Sequence, residues 1–268
     1  MEWEGVSITF PPELKDIDLE MGIDEAGRGP VLGPMVYCGC FAQVGYEWPD
    51  AVDDSKKLTA DARESELDEL KSLPVGFAVR VISAEEVSAK QLATSPINLN
   101  QQSFKAALAI INTVINSGLR IKSLYVDTVG PQETYQKWLQ DHFPSIKVCV
   151  SKKADSLYKC VGAASICAKV TRDKVLHDFM FVEPNLNCTK NWGSGYPSDP
   201  TTKQWLQENF NQVFGYPSIV RFSWRPIEDI FVERKCEADF ESIGSSDADC
   251  PYFQIRHMKN FCSSNNKQ

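Results

Sequence analysis

No apolar run in these 268 residues is long enough to span a bilayer, which argues against a membrane protein. The opening Met1-Glu2-Trp3-Glu4 lacks the basic and then apolar layout of a secretory signal, so a soluble intracellular protein is expected. No C-x-x-C pair occurs among nine scattered cysteines, and the odd number suits neither a closed disulfide framework nor a paired zinc site. Cys38 and Cys40 share a strand face without a second ligand pair. Cys160 and Cys167 lie in an apolar stretch, where a reduced thiol is a small hydrophobe. The pattern G-x-x-x-x-G-K-[ST] is absent, which removes a P-loop NTPase. There is no internal repeat and no low-complexity core.

Positive charge is also in short supply. A net charge of -8 argues mildly against nucleic acid as a partner. Half of that excess, however, is confined to residues 233–250, where six acids face only Arg234 and Lys235. Elsewhere bases cluster at Lys56-Lys57, Lys152-Lys153 and from Lys169 to Lys174, and a contact surface is local.

What the chain does contain is enough apolar material, 43%, for a sizeable core. Leu19, Met21 and Ile23 alternate, Val31 to Phe41 runs apolar, and Gly76 to Ile82 alternates again, so three strands are expected. Between them Thr59 opens one helix and Ser83-x-x-Glu86 caps another. Phe104, Leu108, Ile111 and Ile115 keep helical spacing up to Gly118. The pattern then becomes strand (Leu124 to Asp127), a helix with Pro131 in its first turn, strand (Ile146 to Val150), and a long helix over 156–182. Within the last, Gly162-Ala163-Ala164-Ser165 is small enough to sit close against a sheet. Asp199-Pro200 opens one more helix to about Phe210. This order predicts an α/β domain with a mixed central sheet, ending near Val232. An acidic linker over 233–250 and a docking segment or tail over 251–268 follow.

Four acids stand where a sheet presents residues to a shared crevice. Asp24 and Glu25 end the first strand, Asp127 ends another, and Asp155 opens the long helix. Singly, each has a structural reading: a solvated strand end, a turn former, a helix cap. Together, carboxylates repel unless a cation lies between them, and all-oxygen ligands favour Mg²⁺ or Mn²⁺. Gly27-Arg28-Gly29-Pro30 follows the first pair, a tight turn whose glycines let backbone approach a phosphate or sugar hydroxyl. Lys56, in Asp54-Ser55-Lys56-Lys57-Leu58, is a solvated base or a phosphate contact. Tyr196, in Gly193-Ser194-Gly195-Tyr196-Pro197, is a stacking platform or an edge packer.

In combination these segments resemble type 2 ribonuclease H. The carriers are Asp24-Glu25-Ala26-Gly27-Arg28-Gly29-Pro30-Val31-Leu32-Gly33-Pro34, Asp54-Ser55-Lys56-x-Leu58, Val126-Asp127-Thr128-Val129-Gly130, Lys153-Ala154-Asp155, Ala163 to Lys169 and Gly193 to Pro200, in order across residues 20–232. Asp127-Thr128-Val129-Gly130 and Arg221-Phe222-Ser223-Trp224 resemble the eukaryotic catalytic subunit. The resemblance implies an RNase H-like fold with a mostly helical C-terminal extension. It implies two divalent ions, Mg²⁺ or Mn²⁺, on Asp24, Glu25, Asp127 and Asp155, and a two-metal displacement. The backbone of Gly27, Arg28 and Gly29 would read the ribose 2′-hydroxyl, and Tyr196 would stack on the next deoxynucleotide's sugar. Lys56, Lys169 and Arg172 would contact phosphates or hold the site. The substrates implied are RNA/DNA hybrids and duplex DNA with embedded ribonucleotides, cut 5′ of the ribonucleotide to leave 3′-hydroxyl and 5′-phosphate ends. Two accessory subunits, a nuclear location and roles in ribonucleotide and RNA primer removal are implied as well. An aspartic protease is a poor alternative, because Asp127-Thr128 is followed by valine rather than glycine and has no second copy. A non-catalytic nucleic-acid-binding subunit would be favoured by loss of one of the four acids, and all four are present.

Overall fold

Leu19, Met21 and Ile23 lie inside a six-stranded sheet in the computed structural model, which describes residues 5–49, 52, 59–183 and 188–234. The strands are β1 (Val6–Thr9), β2 (Asp18–Ala26), β3 (Met35–Gln43), β4 (Gly76–Ile82), β5 (Arg120–Asp127) and β6 (Lys147–Ser151), in the order β1-β4-β3-β2-β5-β6. The β1–β4, β4–β3 and β3–β2 pairs are antiparallel, while β2–β5 and β5–β6 are parallel, so the sheet is mixed as expected. The helices are α1 (Ala60–Lys71), α2 (Ala84–Leu92), α3 (Leu99–Asn116), α4 (Gln132–His142), α5 (Ala154–Leu157), α6 (Lys159–Asp178), α7 (Pro200–Glu208) and α8 (Arg225–Glu233).

The expected caps are made. Thr59 Oγ1 accepts from Ala62 N at 3.3 Å, Ser83 Oγ from Glu86 N at 3.0 Å, and Asp199 Oδ1 from Thr201 N at 2.9 Å. Several boundaries differ from expectation. The apolar run from Val31 enters its strand only at Met35; Leu32 instead bridges Val220. The strand expected from Leu124 begins at Arg120, and Pro131 is the N-cap of α4 rather than part of its first turn. The long helix is two. Tyr158 is extended (φ -128°, ψ 116°), its ring stacks on Tyr125 at 4.1 Å, and the second helix ends at Asp178 although Phe179 to Val182 stay apolar. Finally, the short strand β1 exists because β4 pairs with it, a partner that local periodicity does not reveal.

The described residues form two compact units. The first comprises residues up to Arg28, 34–82 and 100–180. In it α6 lies against one face of the sheet, where Ala163, Ala164, Cys167 and Val170 pack with Val36, Cys38 and Cys40. Close approach is permitted by Gly22, where a Cβ would stand 2.3 Å from Cys160 C and Val161 N. On the other face a Cβ at Gly39 would meet Ile110 of α3 at 2.8 Å. At the edge strand β6, amides of Val148 and Val150 donate to Gln140 Oε1 and Gln136 Oε1 of α4, which satisfies that edge.

The second unit comprises residues 29–33, 83–99 and the described residues from Phe181 onward, with α2, α7 and α8 as its helices. Its interior includes the rings of Phe210, Tyr216, Phe222 and Phe231. Arg221 is fully buried there and donates from Nε to Gly33 O at 2.9 Å. The expected linker over 233–250 lies outside the described residues from 235 on, as does all of 251–268.

Candidate active site

Alternation along β2 sends its two terminal acids to opposite faces of the sheet. Asp24 pairs across the sheet with Cys38 and is hydrogen-bonded to Ser165 of α6. Glu25 pairs with Tyr37, whose hydroxyl donates to Ser103 Oγ of α3 at 2.6 Å. The parallel β5 lies beside β2 with Ile23 level with Val126, which brings Asp127 alongside Asp24. Asp127 Oδ1 accepts from Ala154 N at 2.9 Å, and that amide opens α5, whose first turn carries Asp155. Asp24 and Asp155 are buried, at 6% and 7% exposure.

Asp24 and Glu25 both feel their acidic neighbours. Burial pushes the Asp24 carboxyl up to about 7, the Ser165 hydrogen bond opposes the rise, and the charges of Asp127 and Asp155 add to it. Glu25 is raised well above the ordinary carboxylate range, first by burial and then by Asp24, with Arg28 pulling the other way. Among the described residues, no three acid, histidine or cysteine side chains are already gathered to hold an ion. The donor chemistry nevertheless fits a hard cation: Asp24, Asp127 and Asp155 offer carboxylate oxygens at neighbouring positions, and their repulsion is what a cation relieves. Glu25 stands on the other side of the strand, toward α3.

The glycine loop is held from within. Gly27 has φ 81°, and a Cβ there would stand 2.3 Å from Arg172 Nε. Arg172 is only 9% exposed and donates from Nε to Pro34 O at 3.3 Å, so these contacts hold the loop's flank. The Arg28 guanidinium donates through Nη1 to Ser103 Oγ at 2.5 Å and through Nη2 to Asn100 Oδ1. With its fork turned inward, the Arg28 side chain anchors the loop and leaves its backbone to face a ligand. Lys169, one turn beyond Ser165 on α6, is partly buried. Lys56 lies outside the described residues.

Gly29 and Tyr196 belong to the second unit. Tyr196 is 48% exposed, and a Cβ on Gly29 would stand 3.0 Å from its Cε1. The loop carrying it is fixed by Asp199, whose Oδ2 accepts from Ser194 N (2.7 Å) and Ser194 Oγ (2.6 Å), and by Gly195 O, which accepts from Val31 N at 2.8 Å. Those Ser194 bonds draw the Asp199 carboxyl down to about 2.

Sequence reasoning missed Ser165, Ser103, Asn100 and Tyr37. Ser165 counted only as a small residue, although a hydroxyl in a buried alanine stripe needs a partner. Asn100 and Ser103 share a helix face at i, i+3, a pairing that becomes visible once Arg28 is asked where its donors go.

The ribonuclease HII family profile matches residues 21–227. The chain is 47% identical over 217 residues to a ribonuclease H2 subunit from Arabidopsis thaliana, covering 80% of this chain and 73% of the relative. It is 44% identical over 225 residues to the corresponding ribonuclease H2 subunit from Homo sapiens, covering 81% and 74%. Among solved structures, the ribonuclease H2 from Pyrococcus horikoshii superposes with a TM-score of 0.64 at 30% identity, covering 81% of this chain and 98% of that one.

Proposed function

The chain belongs to the ribonuclease HII family and is a ribonuclease H acting on RNA/DNA, and from that premise we propose that it cuts RNA in hybrids and 5′ of single ribonucleotides in duplex DNA by a two-metal mechanism. The observation that carries this reading is the placement of Asp24 and Glu25 at the end of β2, Asp127 at the end of the neighbouring β5 and Asp155 in the α5 turn hydrogen-bonded to Asp127, beside the Gly27-Arg28-Gly29 loop.

The family depends on divalent metal ions. Asp24, Asp127 and Asp155 on one face, with Glu25 completing the set, are the residues that would hold two Mg²⁺ or Mn²⁺ ions. Once bound, such ions supply an activated water and charge neutralisation at the leaving 3′ oxygen. Ser165 orients Asp24, and the Ala154 amide orients Asp127, so neither carboxylate rotates freely. Arg28, fixed to Asn100 and Ser103, holds the loop backbone that reads the 2′-hydroxyl. The exposed ring of Tyr196 offers a face for the sugar of the following deoxynucleotide. Lys56 and Lys169 are placed in this reading as phosphate contacts, and Arg172 as the brace of Gly27 and Pro34. Products with 3′-hydroxyl and 5′-phosphate ends, a nuclear location, roles in ribonucleotide and RNA primer removal, and two accessory subunits complete the proposal.

The test is incubation of the purified chain with Mg²⁺ and a DNA duplex carrying one ribonucleotide, with and without candidate accessory subunits. Cleavage 5′ of the ribonucleotide is expected. Absence of a cut in both conditions would sink the reading, and a cut by the isolated chain would remove the need for partners.

A further inference from the structure

Lys153 joins β6 to α5 with φ 56° and ψ 39°, in the left-handed region that crowds a side chain bearing a Cβ. Among the described non-glycine residues only Asp16 shares a positive φ. Glycine and asparagine enter this region most easily, yet the position holds a lysine.

Its surroundings show what the conformation accomplishes. Asp127 is level with Ser151 in the parallel β5–β6 pair, and Thr128 N donates to Ser151 O at 3.1 Å, so β6 ends beside Asp127. Two residues later the left-handed turn brings the chain back over that carboxylate. The next amide, Ala154 N, donates to Asp127 Oδ1 at 2.9 Å, and the residue after it is Asp155. A helix of four residues does not hold its own shape, so the entry to α5 is set by this turn and by Tyr158 at its far end. An extended or right-handed Lys153 would aim the Ala154 amide away from Asp127 and carry Asp155 off with it.

We propose that Lys153 is a positioning residue whose left-handed backbone hooks the Ala154 amide onto Asp127 and thereby sets Asp155 beside Asp24 and Asp127. This rests on reading those acids as the metal-binding centre of a nuclease. The Lys153 side chain is exposed, and the role belongs to the backbone.

The experiment compares full-length wild type with Lys153→Gly, Lys153→Asn, Lys153→Ala and Lys153→Val. Mn²⁺ affinity is read by electron paramagnetic resonance of the free ion, and kcat and KM are read on an RNA/DNA hybrid. Gly and Asn are expected to keep both readouts within about twofold of wild type, while Val weakens Mn²⁺ binding and lowers kcat by roughly 10–100-fold with KM little changed. Far-UV circular dichroism checks folding. Should Val fail to fold, melting carries the same expectation: Gly and Asn should unfold at a higher temperature than Ala, whose Cβ is crowded in the left-handed region. Val behaving as wild type, or Ala melting as high as Gly where Val does not fold, would overturn the proposal. So would a Gly variant as impaired as Val, since that assigns the effect to the ammonium group. A wild type that neither binds Mn²⁺ nor cuts removes the nuclease reading itself, and the proposal with it.

Discussion

Gly29 lies against the ring of Tyr196: a Cβ there would stand 3.0 Å from Cε1, so a methyl group would push the ring aside by a few tenths of an ångström. Loss of the ring removes a stacking face worth about 1–3 kcal/mol, so Tyr196→Ala is expected to lower kcat/KM on a single-ribonucleotide duplex by roughly 5- to 150-fold. Gly29→Ala should shift the ring and lose less, in the same direction. Tyr196→Phe should stay near wild type. Steady-state kinetics on the three variants decides the matter, and an unimpaired Tyr196→Ala would remove the stacking role.

Asp127→Asn keeps an oxygen to accept the Ala154 amide and removes the charge. Far-UV circular dichroism and melting should therefore resemble wild type, while cleavage falls by about a thousandfold or more, since a metal contributes several kcal/mol of charge stabilisation. Full activity in this variant would rule out the metal mechanism.

Metal and pH are linked through Asp24, whose carboxyl is raised from the ordinary 3.8 to about 7, chiefly by burial. A carboxyl raised in the fold favours folding while it holds its proton. That contribution is whole below about pH 4 and is gone above about pH 7. The metal-free chain should therefore lose this part of its stability as pH rises, and a cation competing with those protons should restore it. The Mg²⁺-induced rise in Tm is expected to be larger at about pH 8 than at about pH 6. Equal shifts at the two pH values would place the ion elsewhere.

Much of the candidate site was legible because its residues sit in short contiguous motifs. Asp24 through Pro34 and Lys153 through Asp155 each read as a unit, and a sheet of parallel and antiparallel strands followed from the order of periodic segments. What stayed hidden depends on partners distant in the chain. The break at Tyr158 is held by stacking on Tyr125, so helical periodicity ran straight through it. The opposite facing of Asp24 and Glu25 follows from strand alternation but says nothing until Ser165 and Ser103 arrive on different helices. Arg172 was legible as a base near the site; that it braces Pro34 required the fold.

Gly22 offers a test of the packing beneath the site. An alanine methyl there would meet backbone atoms of Cys160 and Val161 at 2.3 Å, and backbone does not step aside as a side chain tip does. Gly22→Ala should cost about 1–3 kcal/mol or more by urea unfolding. Because α6 carries Ser165, Mg²⁺-dependent cleavage should weaken in the surviving folded fraction. An unchanged unfolding midpoint would contradict the close approach.

The parallel pairing of β2 with β5 also sets a timetable. Asp24 and Asp127 are neighbours in the sheet but about a hundred residues apart along the chain, and such contacts close late in folding. A nascent chain that has left the ribosome only through β4 carries Asp24 and Glu25 without Asp127 and Asp155, and on the proposed reading has no cutting centre. Such a partial chain should be inert, and in refolding the return of cleavage should trail the return of helical signal. Its own substrate is then a clock for the last strands to pair.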